Sequence, residues 1–66
     1  MKAYAYPKMF QPGTVVERYS EDYQEWYPAK VLNVFSGLHF IHYDGYGSEY
    51  DDWMAPKKIR ATRRMQ

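Results

Sequence analysis

Cysteine is absent from the 66 residues, which excludes a disulfide framework and any thiolate metal site. Leucine is scarce, occurring only at Leu32 and Leu38. A helical bundle of this length fills its facing stripes with Leu and Ala, so the shortage argues against helices. No apolar run approaches the roughly 18 residues that cross a bilayer, and the amino terminus lacks the apolar stretch of a signal peptide. These absences lead us to expect a soluble intracellular protein in a reducing compartment. Catalytic groups are equally thin. Ser20, Ser36 and Ser48 sit among turn formers, and the adjacent Asp51 and Asp52 diverge on a strand. Gly45-Tyr46-Gly47 lacks the lysine and following helix of a phosphate cradle. His39 and His42 are three apart, so on a strand they face opposite sides and cannot chelate one ion together. The chain is therefore expected to be non-catalytic, with no metal and no cofactor.

What the chain does have is aromatics, 20% of its residues, with eight tyrosines and two tryptophans. Tyr, Trp, Phe and Val suit a pleated, half-buried surface, so the composition reads as all-β. A domain this small buries only about 60% of the surface its unfolded chain exposes. A small barrel is one of the few ways to close a core at that size without staples.

Residues 1–12 carry two prolines and no sustained period and read as an irregular lead-in, with Tyr4, Tyr6 and Phe10 folding back over one end of the domain at 13–61. Pro12-Gly13 signals a turn. Thr14 to Tyr19 is expected as strand one, Glu25 to Phe35 as a long strand two, and Leu38 to Tyr43 as strand three. Tyr50 to Met54 follows as strand four and Ile59 to Ala61 as strand five. Pro28 suggests an edge position or a bulge in strand two. Ser36-Gly37 is a two-residue hairpin turn, Ala55 to Lys58 suits one helical turn, and 62–66 form a basic tail. The pattern is that of a five-stranded antiparallel SH3-like barrel with a short 3-10 turn before the last strand.

Alternation places Tyr27, Ala29 and Val31 on one face of strand two, and Ile41 with Tyr43 on one face of strand three. Both rows run from an aliphatic interior to an aromatic mouth. Tyr19, Tyr27, Tyr43 and Tyr46 are expected to gather at this rim, with Tyr50 and Trp53 as further walls. A methylated ammonium or guanidinium keeps its charge while losing hydration. Each ring face offers it roughly 0.5 to 2 kcal/mol. Asp44, Glu49, Asp51 and Asp52 are expected around the rim as an acidic field favouring a cationic peptide, the first three as contacts to the cation.

The segments Tyr19-Ser20-Glu21-Asp22, Trp26-Tyr27-Pro28-Ala29 and His42-Tyr43-Asp44-Gly45-Tyr46-Gly47 resemble the Tudor domain pattern. There an aromatic precedes an acidic turn, followed by W/C-Y-x-A and an aromatic-x-G-Y-G loop. The run from Ile41 to Trp53 is closer still to the chromo-barrel, or Tudor-knot, pattern I/V-H-Y-x-G-x-x-x-x-x-D-E-W, with Asp51-Asp52-Trp53 in place of D-E-W. The resemblance covers roughly residues 12–61. It implies a chromatin or RNA-processing reader of methylated lysine or arginine in a histone-like or other protein tail, nuclear with the cytoplasm as the alternative location. The cage residues it implies are Tyr19, Tyr27, Tyr43 and Tyr46, with Tyr50 also a chromo-barrel candidate and Trp53 at the signature tryptophan. Methylarginine readers usually carry Asn where this chain has Ser48.

Charge supplies a rival reading. Residues 1–52 hold four basic and eight acidic groups, a balance of −4, whereas 53–66 hold five basic groups and no acid. Such a tail keeps a small domain solvated. Lys57, Lys58, Arg60, Arg63 and Arg64 would also neutralise phosphates of RNA or DNA while exposed tyrosines stack on unpaired bases. A third reading is a flat aromatic groove for proline-rich peptide. As an isolated domain the chain is expected to be a monomer.

Overall fold

The computed structural model describes residues 9–62. Tyr4 and Tyr6 of the lead-in, and Arg63 and Arg64 of the tail, lie outside the described residues.

Segments rich in β-branched and aromatic residues form five strands among the described residues: β1 (Val15–Ser20), β2 (Glu25–Phe35), β3 (Leu38–Tyr43), β4 (Asp52–Met54) and β5 (Ile59–Ala61). All pair antiparallel in one sheet of order β4-β3-β2-β1-β5. The sheet is open, with β4 and β5 as its edges, and the architecture is consistent with a small SH3-like barrel. Two 3-10 turns interrupt it, Ser48–Tyr50 and Pro56–Lys58. The second stands where a helical turn before the last strand is expected, its Pro56 supplying the preset φ of a first helical position.

Val16, Ala29, Val31, Ile41, Met54 and Ile59 form the buried core, one side of the curved sheet. Each is paired across the ladder with an inward neighbour: Val16 with Ala29, Val31 with Ile41, Ala29 with Tyr43. His39 is also fully buried there, and its Nε2 accepts the Phe10 N–H at 2.9 Å. Phe10 packs on the core and its ring sits 5.7 Å from the His39 ring, so the end of the lead-in does close one end of the domain.

Several local expectations are corrected. β1 begins at Val15 and runs through Ser20, while Thr14 joins β2 through a separate bond from Val31 N–H to its carbonyl, 2.9 Å. Tyr50 belongs to a 3-10 turn rather than to β4. Pro28 lies mid-sheet, opposite Glu17 of β1, and not at an edge or a bulge. Its carbonyl accepts Asp44 N–H at 3.0 Å. A residue's N and C=O leave the same side of a strand, so the missing N–H faces the point where β3 has ended and no ladder bond is lost. The bulge falls instead at Leu32, between the pairs Val31–Ile41 and Asn33–Phe40. One extra residue inverts the alternation, which turns Val34 inward against the core and leaves Asn33 exposed. At the hairpin tip Ser36 and Gly37 take φ of 54° and 78°. Two consecutive left-handed residues match the right-handed twist of the flanking strands.

Candidate functional site: an aromatic hollow at the sheet mouth

The inward rows continue past the core and become polar and aromatic. Beyond Val16, β1 turns Arg18 and Ser20 inward, and Arg18 faces Tyr27 across the ladder. Tyr43 ends the inward row of β3, and Asp52 lies opposite Ile41 on β4. Two connections close over this mouth. The β1–β2 turn brings Asp22 and Tyr23, held where buried Ser20 Oγ accepts Tyr23 N–H at 3.3 Å. The β3–β4 connection brings Tyr46 and Tyr50. Its path is set by bonds from Tyr46 N–H to the Tyr43 carbonyl, 3.2 Å, and from Tyr50 N–H to the Gly47 carbonyl, 3.1 Å. Gly45, at φ 87°, permits the reversal. His42 Nδ1 and Asp51 Oδ1, 2.7 Å apart, fasten the same loop to the outer side of β3.

Together Arg18, Ser20, Asp22, Tyr23, Tyr27, Tyr43, Tyr46, Tyr50 and Asp52 line an open hollow of about 350 Å³. The rings meet edge to face: Tyr23 and Tyr27 at 6.4 Å, Tyr46 and Tyr50 at 5.7 Å. Desolvation pushes the Tyr43 phenol above its ordinary value, opposed by the Arg18 charge and reinforced by Asp52. The Tyr27 phenol is raised too, by desolvation first and then by Glu25, Tyr46 and Tyr23. Both phenols therefore stay neutral at physiological pH. Neutral rings with two carboxylates against the single Arg18 charge along the wall are electrostatically suited to a weakly hydrated cation.

Of the residues expected at this mouth, Tyr27, Tyr43, Tyr46 and Tyr50 come together. Tyr19 and Trp53 do not. Tyr19 alternates with Arg18 and Ser20, so it faces outward and packs on Trp26 with ring centres 5.2 Å apart. Trp53 alternates with Asp52 and Met54 and packs on Phe40 of β3 at 4.9 Å, on the outer face. The expected acidic rim also shifts. Asp51 is bonded to His42, Glu49 folds back over Gly47, and Asp44 does not line the hollow. Asp52 alone of the expected carboxylates lines it, joined by Asp22. Arg18, Ser20, Asp22 and Tyr23 are additions that sequence reasoning missed. Alternation counted from Val16 would have pointed to Arg18 and Ser20. Asp22 stands in the acidic turn of the Tudor-like motif with no role assigned to it there, and nothing in the sequence flagged Tyr23.

The described part of the basic segment lies across the sheet. Tyr19, Glu21, Trp26, Lys57 and Lys58 line a second hollow of about 350 Å³. Lys58 Nζ donates to Glu21 at 3.0 Å, and Arg60 Nε donates to Glu17 at 2.7 Å. The Arg60 guanidinium also lies 3.8 Å from the Trp26 ring centre. The hydrogen bond from Lys58, and then its charge, hold the Glu21 carboxyl below its usual range. Both pairs are partly exposed, so their contribution to stability is small.

Fold and hollow define a small all-β module with an aromatic pocket at one end. No protein-family model matches the chain, and neither does any curated protein. The likeness to Tudor and chromo-barrel patterns accordingly rests on the motifs quoted above.

Proposed function

We propose that this chain is a non-catalytic reader that binds a methylated lysine or arginine of a protein tail in the Tyr27–Tyr43–Tyr46–Tyr50 hollow. The carrying observation is the convergence of these four rings, with Tyr23, around one hollow that Asp22 and Asp52 also line. Methylation strips hydration and N–H donors from a cation while keeping its charge, and tyrosine faces reward that change. The carboxylates attract the basic sequence that flanks such a residue in a histone-like tail. Nuclear location follows from this reading. Calorimetric titration with trimethyllysine and dimethylarginine peptides, against their unmodified counterparts, tests it. Preference for a methylated form, lost in Tyr43→Ala, is the expected result. Equal or absent binding of all four peptides contradicts it.

A second reading is favoured by one observation, the exposed Trp26 and its neighbour Tyr19 beside Lys57 and Lys58. Single-stranded RNA or DNA would stack there and place phosphates on the lysines. Against it, Lys58 and Arg60 are already paired with Glu21 and Glu17. Binding of an oligonucleotide that weakens in Trp26→Ala, with a steep loss in salt, would favour this reading.

A further inference from the structure

The wall of the aromatic hollow already includes a cation. Arg18 lines the hollow, and its guanidinium carbon sits 5.8 Å from the centre of the Tyr43 ring. Among the described residues Arg18 makes no ion pair, although Asp22 and Asp52 line the same hollow. Its Nε is buried without a hydrogen-bond partner. A structural arginine at a barrel wall is ordinarily tied to a carboxylate or to carbonyls, because a buried guanidinium donor left unbonded is costly. Arg18 instead lies over the Tyr43 ring. Tyr43 is also the tyrosine that packs against the buried core cluster, so it is the innermost ring of the hollow.

We propose that Arg18 is the hollow's resident occupant, and that a ligand cation takes the Tyr43 ring face by displacing it. The inference rests on the cation-site reading above and adds what limits that site's affinity. A guanidinium is less strongly hydrated than an ammonium, which suits it to a ring face. Leaving that face sacrifices no hydrogen bond at Nε. Carboxylates stand ready to receive it: Asp22, on the turn that follows β1, and Asp52 line the same hollow. Displacement has a thermodynamic signature that direct contact lacks. An internal competitor reduces the competent fraction of the site, so it weakens every cation by one common factor and leaves their ratios untouched. A residue that touched the ligand would change those ratios.

The experiment is a titration of the isotope-labelled chain with trimethyllysine and with unmodified lysine, repeated on Arg18→Met and Arg18→Gln. In the unmutated chain the Arg18 side-chain N–H signal is expected to move toward that of a solvated arginine as trimethyllysine saturates the Tyr43 ring signals. Both variants are expected to bind both ligands more tightly by about fivefold, with the ratio unchanged. The gain is expected to persist at high salt, where long-range repulsion between Arg18 and the ligand is screened. Binding that appears only in the variants supports the proposal in its strongest form. An Arg18 signal that stays put while Tyr43 saturates would overturn displacement yet leave the cation site intact, as would weaker binding in the variants or a gain that vanishes in salt. If neither the chain nor its variants bind trimethyllysine or dimethylarginine, the cation-site reading fails and this inference falls with it.

Discussion

The two faces of this one sheet both carry aromatic rings, and they hold them in different ways. On the outer face the rings lie down in pairs, Tyr19 on Trp26 and Phe40 on Trp53, each covering its neighbour across the ladder. Trp26 is further capped by Arg60. On the inner face Tyr27 and Tyr43 stand at the end of an aliphatic row, and two loops bring Tyr23, Tyr46 and Tyr50 around them. The same residue types thus act as a surface covering on one side and as the walls of a hollow on the other. Aromatic content does not separate the two roles. Parity along the strand does, because a ring on the inward parity ends at the mouth of the core.

Replacing Ile41 with Ala would break the inner face as a whole. Ile41 is fully buried among the core residues, and its truncation is expected to cost about 2–5 kcal/mol, a large part of a small domain's stability. Urea denaturation measures it. Tyr43→Ala sharpens the comparison at the mouth. It is expected to reduce methylated-peptide affinity by more than about tenfold through loss of the innermost ring face. Circular dichroism checks that the sheet persists. Trp26→Ala addresses the outer face. Loss of the Tyr19 and Arg60 contacts is expected to cost about 1 kcal/mol of stability while leaving cation affinity within about twofold. Trp53→Ala is expected to be as silent toward the cation, measured in the same titration.

The smallest effect concerns the latch at the closed end. Burial lowers the pKa of His39, opposed by a hydrogen bond from the ring to the Met54 backbone, so the folded protein favours neutral imidazole. The unfolded chain then binds a proton more readily, so stability decreases as pH decreases. His39 contributes its full share above the ordinary histidine range, and the share is lost as pH falls through the depressed folded value. Protonation also removes the acceptor that holds Phe10 N–H. A urea midpoint series from neutral to acid pH is expected to fall, and to fall less in His39→Gln.

Much of the fold is legible in the chain because its punctuation is local. Ser36-Gly37, Pro12-Gly13 and Ala55-Pro56 each fix a reversal through φ preferences, and β2, β3 and β5 run between them as expected. The bulge at Leu32 is not legible, since any residue of a long strand can serve as the extra one and the choice is made by which side chain fills the core. Four of the six expected cage residues meet for a simple reason: two end inward rows and two ride a loop anchored to β3. Tyr19 and Trp53 fail to join them because closeness in sequence to the rim says nothing about facing. Arg18 was overlooked for the opposite reason. A charged residue reads as exposed, whereas its parity carries it inward.

The central claim is that one face binds a methylated cation and the other does not. The most direct test is a ring-selective NMR titration of the chain with a trimethyllysine peptide and, separately, a dimethylarginine peptide. The account predicts saturable shifts in Tyr27, Tyr43, Tyr46 and Tyr50, with Tyr19 and Trp53 unmoved. Shifts centred on Tyr19, Trp26 or Trp53, with the inner rings silent, would contradict it.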